Sequence, residues 1–457
     1  MRAFKPAFLT LILAGACFGC SVYKDYERPG DVLPEALYGA AADSVALSDT
    51  AGLAAVQWRD FFTDPLLQAL IEKGLEGNAD LLQASSRVVE AQAGLDAARG
   101  AFLPSLKVNP YWQMESADRY GGTVQAYSLT PAASWEVDIR GSLLNSKRLA
   151  EATLQQAQLY ERSVRTALVA SIANAYYTLQ MLDAQMEISR TTSDNWKKNV
   201  VIMKAMKDAG MANEASVSQT EANSCAIEAS LFDLENKILL AENSLALILG
   251  VTPRHFKRDS LGRDAPGMDF EIGVPSLLLS RRPDVMSAEQ ELRKAYYNTN
   301  IARANLYPSL TLSGDFGWEK ALTSPAGWIA GLAANLAAPV FEGGKRRAGL
   351  KAAQARQEAA LVNFRQKVLA AGNEVNGALA QCRAARSKTD IRIRQIESIE
   401  KAVESTQQLM RHSQSTYLEV LTAQQSLLSA RLQQVSDQYE AVQGIIALYR
   451  ALGGGAE

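Results

Sequence analysis

Ala98-Arg99-Gly100-Ala101-Phe102-Leu103-Pro104-Ser105-Leu106 and Ala302-Arg303-Ala304-Asn305-Leu306-Tyr307-Pro308-Ser309-Leu310 are one pattern written twice, 204 residues apart in a chain of 457. In each copy a helical pattern stops at the proline and an alternation of period two begins. Pro104 and Pro308 suit that junction: the ring cannot continue a helix, and the residue before it is pushed out of the α region. A long helix that turns into an amphipathic strand, twice, is the plan of a tube wall.

Working outward from the first copy, residues 105–115 alternate, with Leu106, Val108, Trp112 and Met114 on one face and Lys107, Asn109, Gln113 and Glu115 on the other. After a Gly121-Gly122 loop, Tyr127, Leu129, Pro131, Ala133, Trp135 and Val137 alternate with polar residues. This predicts a β-hairpin over about 104–139, with arms of about ten residues, the length of a membrane-barrel strand. A hairpin on a soluble sheet alternates in the same way. The second copy predicts another hairpin over about 308–340, its last strand weakened by small residues on both faces.

Each hairpin is followed by helices. From Leu143 to Lys207 there is no proline or glycine, and about 65 residues of helix span roughly 95 Å. Leu168, Ile172, Ala175, Leu179, Leu182 and Met186 hold a heptad seam, answered by Ile227, Leu231, Leu234, Ile238, Ala241, Leu245 and Ile248 beyond Gly210. Gly250 is the expected C′ residue. An antiparallel coiled coil over about 143–249 follows, and a second over 345–452, closed by Gly453-Gly454-Gly455. The shorter helices of each half, 65–102 with 213–249 and 284–306 with 416–452, are expected to stack end to end to a matching length. Asp64-Pro65 is a helix start, an N-cap acceptor before a residue with preset φ. Gly74, Gly77 and Asn78 mark an irregularity within that first helical region.

The expected organisation is therefore a targeting segment (1–19), an extended segment (20–57), a first repeat (58–250), an irregular linker (251–282), a second repeat (283–452) and a short tail (453–457). Arg2 and Lys5 precede a short apolar run ending in Gly19-Cys20, the form of an export signal. Gly-Cys-Ser resembles a bacterial lipoprotein box, with Cys20 as the acylated residue; Cys17 is a competing site, and an ordinary exported protein with an incidental cysteine is the plainer alternative. No run of eighteen apolar residues exists beyond it, so no transmembrane helix is expected. The formal charge of −2 gives no sign of nucleic-acid binding. Cys225 and Cys382 lie at different depths of their hairpins, too far apart for a disulfide, and are expected to be free packing residues. With His255 and His412 they form no metal spacing, and no Gly-rich phosphate loop follows a strand. Neither an enzyme, a metal site nor a cofactor is expected beyond the lipid on Cys20. Lys345, Arg346 and Arg347 after Gly344 suit either a membrane interface or a solvated first helical turn.

Two hairpins give four strands. Four strands cannot close a barrel, and no unpaired backbone group survives in a bilayer, so the chain is expected to assemble with cyclic symmetry.

The whole chain resembles the TolC-like outer membrane factor family, in the lipoprotein branch serving efflux systems. Trp58, Phe62, Asp64, Pro65, Leu67 and Leu70 resemble its opening motif, and Asn78, Asp80 and Leu81 the continuation. Leu278, Leu279, Arg281, Arg282, Pro283, Asp284 and Val285 resemble the motif opening its second half, and Tyr449–Gly455 its C-terminal signature. Tyr26 and Pro29 after Cys20 look like the start of the mature lipoprotein. The resemblance implies a mainly α fold with a β-barrel portion: a homotrimer with a twelve-stranded barrel in the outer membrane and an α-helical periplasmic tunnel. It implies a passive duct for small molecules such as drugs, toxic compounds or metal ions, working with a periplasmic adaptor and an inner-membrane pump. A type I protein-secretion duct and a non-conducting envelope lipoprotein are the alternatives. For tunnel-tip, gate or docking roles it points to Asp208, Gly210, Met211, Arg411, His412, Ser415 and Glu419. A glycine is common in the family where Ser413 sits, and an aspartate near Ser415, so an acidic ring would have to come from Asp208 or Glu419.

Overall fold

The computed structural model describes residues 23–30, 32, 37, 47–48, 56–117, 122–261, 272–273, 278–321, 325–339, 341–411 and 417–455. In chain order the elements are β1 (Leu47–Ser48), α1 (Trp58–Phe61), α2 (Pro65–Gly77), α3 (Ala79–Gly100), β2 (Ser105–Ala117), β3 (Gly122–Val137), α4 (Ser142–Asp208) and α5 (Glu214–Ile248). They continue with β4 (Ile272–Gly273), α6 (Leu278–Arg281), α7 (Pro283–Ala304), β5 (Ser309–Lys320), β6 (Gly327–Ala337), α8 (Lys345–Arg411) and α9 (Tyr417–Ala451).

The duplication is metrical. Helices α3 and α7 both have 22 residues, α4 and α8 both 67, and α5 and α9 both 35. At 1.5 Å per residue a 67-residue helix is roughly 100 Å long. The first helical region divides in two at Asn78, so the element matching α7 is α3 rather than the whole of 65–102. The division has a local cause. The Asn78 carboxamide oxygen accepts the Leu81 N–H at 3.0 Å as an N-cap, and the Asn78 backbone N–H closes α2 on the Gly74 carbonyl at 2.9 Å.

Two compact units cut across the repeats. One comprises Met1–Gly30, Ser86–Gln158 and Ser287–Gln366, the other Asp31–Ser85, Leu159–Met286 and Lys367–Glu457.

The first unit holds a four-stranded antiparallel sheet in the order β2-β3-β5-β6. Its strands have 13, 16, 12 and 11 residues, longer than the ten their alternation suggests. Register places apolar residue opposite apolar residue across every ladder: Trp112 faces Tyr127, Leu129 faces Trp318, and Trp318 faces Trp328. Beside the sheet, α4 and α7 meet through polar side chains. Gln156 donates to Glu291 at 2.9 Å, and the buried amides of Asn300 and Asn145 meet at 3.3 Å. The N-terminal segment straps both helices. Asp25 pairs with Arg148 of α4 at 2.6 Å, and Arg28 grips Glu289 of α7 with both ends at 2.6 and 2.8 Å.

The second unit is built on coiled-coil packing. Leu182, Met186 and Leu234 form a seam core with Met181, Leu231, Ile238 and Ala241 against it. Its base is an aromatic cluster: Phe61 stacks on Tyr449 at 4.1 Å, Phe62 is fully buried, and the Tyr449 hydroxyl donates to the Val56 carbonyl at 2.7 Å. Asp64 does two jobs there. It caps α2, accepting from Leu66 at 2.8 Å, and it accepts the buried Tyr176 hydroxyl at 2.5 Å. Burial, with that bond to a carboxylate, raises the Tyr176 pKa.

The two cysteines part company. Cys382 is buried, as expected, and burial pushes its thiol up to about 11. Cys225 is exposed, which corrects its expected packing role: it lies outside the 227–248 stripe that faces α4. Residues 251–261 form no helix or strand, yet they are held in place. Phe256 is buried, and the Arg258 guanidinium is 5% exposed, held between Asp183 and Glu242.

Candidate functional site

Three places combine surface and geometry that a duct wall needs. The first is the sheet. Leu106, Val108, Trp112, Met114, Leu129, Trp135, Phe316, Trp328, Leu332 and Leu336 share one face and are exposed, Leu332 at 96%. Phe316 stacks on Trp328 with ring centres 5.2 Å apart, and Trp318 meets Trp328 edge-on at 5.5 Å. The opposite face carries Lys107, Asn109, Gln113, Glu115, Ser128, Thr130, Glu136, Thr311, Asp315 and Asn335. Water penalises a contiguous apolar surface of that size, whereas hydrocarbon does not. A 13-residue strand is roughly 40 Å long, and tilted by about 45° it crosses a ~30 Å hydrocarbon layer. Strands β2 and β6 each have a partner on one side only among the described residues. Pro104 and Pro308 stand directly before β2 and β5, each after a turn closed by a helix-terminal carbonyl: Leu103 N–H to Gly100 at 2.9 Å, Tyr307 N–H to Ala304 at 3.0 Å.

The second place is a pair of joints, one in each repeat, both within the second unit. Asn78, just ahead of α3, donates its side-chain N–H to the Ile248 carbonyl at the end of α5, at 2.9 Å. Arg282, just ahead of α7, donates to the Ala451 carbonyl at the end of α9, at 3.1 Å. Each joint answers one of the carbonyls that a helix end leaves without a partner. The backbones close up in the same way. A Cβ on Gly250 (φ +66°) would lie 2.3 Å from the Gly77 oxygen, and one on Gly453 (φ +90°) 2.8 Å from the Arg281 oxygen. Only glycine combines that approach with that φ. The joints differ in charge. Arg282 is 7% exposed and also pairs with Asp284 at 2.7 Å and Glu374 of α8 at 2.8 Å. Burial opposes the Arg282 charge, but the two carboxylates outweigh it and raise its pKa. Burial likewise works against the Asp284 carboxylate, yet Arg282 holds it below the usual range.

The third place is the far end of the hairpins. Asp208 ends α4 and is exposed, Gly210 turns the chain at φ +74°, and Met211 is 70% exposed. Asn213 then caps α5, accepting from Ser216 N–H at 2.9 Å. Arg411 ends α8, and Glu419 is exposed in the first turn of α9. His412 and Ser415 lie outside the described residues, as do Cys17 and Cys20.

The hairpins carry features that the heptad reading missed. Between α4 and α5 runs a ladder with bases on α4 and acids on α5: Arg190–Glu235 at 3.4 Å, Lys197–Glu228 at 3.3 Å, Lys204–Glu221 at 2.7 Å, and Lys207–Glu214. Between α8 and α9 the signs mix, with Lys388–Glu440 and Arg392–Asp437 at 2.7 Å but Arg431–Glu400 reversed at 2.8 Å. Helix α4 also meets α9 through hydrogen bonds: Thr178 with Tyr439 at 2.6 Å, Gln185 to Ser436 at 3.2 Å, Asn199 to Gln424 at 3.0 Å. The joints were within reach of the sequence. Applied to Asn78, the 204-residue offset gives Arg282; an offset of 203 takes Ile248 to Ala451 and Gly250 to Gly453. A chemical motif search passes over them because they hold structure together.

The family model "Outer membrane efflux protein" matches residues 70–251 and 274–454. The chain is 27% identical over 459 residues to the "Cation efflux system protein CusC" of Escherichia coli K12, covering 98% of this chain and 99% of that one. It is 26% identical over 473 residues to the "Probable outer membrane lipoprotein SilC" of Salmonella typhimurium, covering 99% of each. Among solved structures, the outer-membrane channel OprN superposes with a TM-score of 0.86 at 27% identity, covering 96% of this chain and all of that one.

Proposed function

Because this chain belongs to the outer membrane efflux protein family, we propose that three copies of it close into one passive duct. An adaptor and an inner-membrane pump would dock to that duct and move small solutes through it. It is an efflux component of the outer membrane, with a helical part and a membrane β part. The observation that carries the assembly is the sheet. Its exposed apolar face calls for lipid, and its two open edges cannot stay open there. In the order β2-β3-β5-β6, with every neighbour antiparallel, β6 runs antiparallel to β2. A ring in which β6 of one copy pairs with β2 of the next is therefore antiparallel throughout. Cyclic repetition closes such a ring, and three copies give twelve strands, the family's number.

In this reading the chain supplies a wall and no covalent chemistry. Small molecules or metal ions cross it, as the cation-efflux name of one relative supports. The first tip, with Asp208, Gly210 and Met211, and the second, with Arg411, His412 and Ser415, face the adaptor, and Asp208 or Glu419 supplies any acidic ring. The hydrogen-bonded contact between α4 and α9 supports a gate that opens by shifting one hairpin against the other. The lipid sits on Cys20.

The test is direct. Detergent-purified protein should have three times the chain mass and form discrete conducting pores in planar bilayers, and its deletion should sensitise the host to toxic solutes. A monomer without pore activity ends the proposal. Loss of protein secretion with unchanged solute tolerance would make it a secretion duct.

A further inference from the structure

We propose that the junction of helix and strand in the second repeat carries a binding site for the phosphate headgroup of an anionic phospholipid. A cleft of about 660 Å³ lies where β5 begins, β6 ends and α8 starts, with Arg140, Asn305, Tyr307, Glu342, Lys345 and Arg346 among its lining. Three cations stand against one carboxylate there, a net charge of +2. Glu342 is spoken for, since Arg346 grips it with two bonds of 2.9 and 2.7 Å while also reaching the Asn305 carbonyl. Arg140 is the unusual member. Its side chain is 16% exposed and one end meets Glu136 at 3.0 Å, yet its Nε is buried without a hydrogen-bond partner. A buried donor left unmatched shows that Arg140 is not fully satisfied by the protein, and the exposed part of its guanidinium lines the cleft, where an anion would gain a charge-assisted bond. Lys345 is exposed at the first turn of α8, where the helix start also favours an anion.

Two observations place lipid at this cleft rather than a soluble anion. Tyr307 and Phe341, on its rim and beside it, are 52% and 88% exposed, the belt of aromatics that marks a membrane–water boundary. The Tyr23 ring packs against Gly141, next to Arg140, so closely that a Cβ there would meet it at 3.2 Å. Three residues of chain keep the Cα of Cys20, where the lipoprotein box puts an acyl group, no more than roughly 11 Å from the Tyr23 Cα. This second point rests on the lipoprotein reading above; the first does not.

The experiment compares thermal unfolding of the full detergent-purified chain with added phosphatidylglycerol, phosphatidylcholine or inorganic phosphate. Wild type should be raised several degrees by phosphatidylglycerol and little by the other two. Arg140→Gln with Lys345→Gln should lose most of that shift and bind phosphatidylglycerol roughly tenfold or more weakly, the scale of losing charge-assisted bonds. Arg140→Lys with Lys345→Arg should keep it. An undiminished shift in the glutamine variant overturns the site. An equal shift with inorganic phosphate makes it a site for soluble anions and overturns the lipid assignment. Failure of the glutamine variant to assemble, with no lipid effect on wild type, makes the cleft a subunit contact and also overturns it. Mass spectrometry of the mature N-terminus reads the anchor separately. An unmodified Cys20 beside an intact lipid shift refutes the anchor and leaves the site, whereas an acylated Cys20 with no shift does the reverse.

Discussion

The joint at Asn78 and the joint at Arg282 occupy one place in two halves of the same chain, and they are built of different chemistry. Both cover the last carbonyls of a 35-residue helix, and both press a left-handed glycine against the backbone just ahead of a 22-residue one. The first uses a neutral amide that touches one helix end. The second uses a buried cation that also holds Asp284 and Glu374, so α8 is pinned at the same point as α9. The position matching Glu374 in α4 is Ser171, which carries no charge. The two copies share one geometry, and only one of them carries charge. The second hairpin is thereby anchored ionically at the joint itself, whereas in the first the buried cation is Arg258, away from the joint, on Asp183 of α4 and Glu242 of α5.

Replacing Arg282 by Ala leaves two carboxylates and the Ala451 carbonyl without their partner. Removing one member of a buried pair costs about 3–5 kcal/mol, and the partial exposure of Asp284 and Glu374 puts this case at about 3. Denaturant unfolding measures it, and a loss under ~1 kcal/mol would show the joint to be ornamental. Gly250→Ala should cost about 2 kcal/mol, through a backbone clash and a disfavoured φ, and more than Gly453→Ala, whose nearest atom is farther off. Equal costs would mean that approach distance does not matter. Asn78→Ala forfeits an N-cap and one donor, about 1–2 kcal/mol. Asn78→Asp should retain the cap and recover about half of that on the same unfolding curve.

Acid separates the joints by sign. The Asp284 pKa is depressed by folding, so the stability it contributes is present above its ordinary 3.8 and is lost as pH falls through the folded value. Unfolding midpoints measured from pH 5 down to 2 should therefore fall less in Asp284→Asn, and Asn78→Ala should leave the wild-type slope unchanged. Smallest of all, Lys204→Ala or Glu221→Ala on the exposed ladder should cost under ~0.5 kcal/mol and vanish in high salt. A larger, salt-insensitive loss would mean that the ladder holds the hairpin together.

Much of this architecture was legible because it is periodic. Leu182, Met186 and Leu234 meet because period 3.5 brought them to one face, and Trp112, Leu129 and Trp328 share a face because period two did. Cys225 was misplaced because a cysteine inside a helical pattern says nothing of which face it takes. The α4–α5 ladder was hidden by the weakness of its signal: exposed Lys and Glu at sevenfold spacing look like any solvated helix. The lining of the cleft at Arg140 could not be read at all, since it gathers residues from 140, 305–309 and 337–349 that no local rule connects.

The sequence alone set the long helices and the places where helix gives way to strand, through proline junctions, glycine stops and the two hydrophobic periods, because those are local consequences of backbone sterics and burial; the full strand lengths were not among them. It also determined the duplication, and its motifs at Trp58–Leu70, Leu278–Val285 and Tyr449–Gly455 carried the family resemblance. Only the tertiary structure decided the strand order β2-β3-β5-β6 and its open edges, the charge at one joint and its absence at the other, and the unmatched guanidinium at the strand base. Each of those depends on which distant groups meet, and a buried polar atom declares its need only when its neighbours are known.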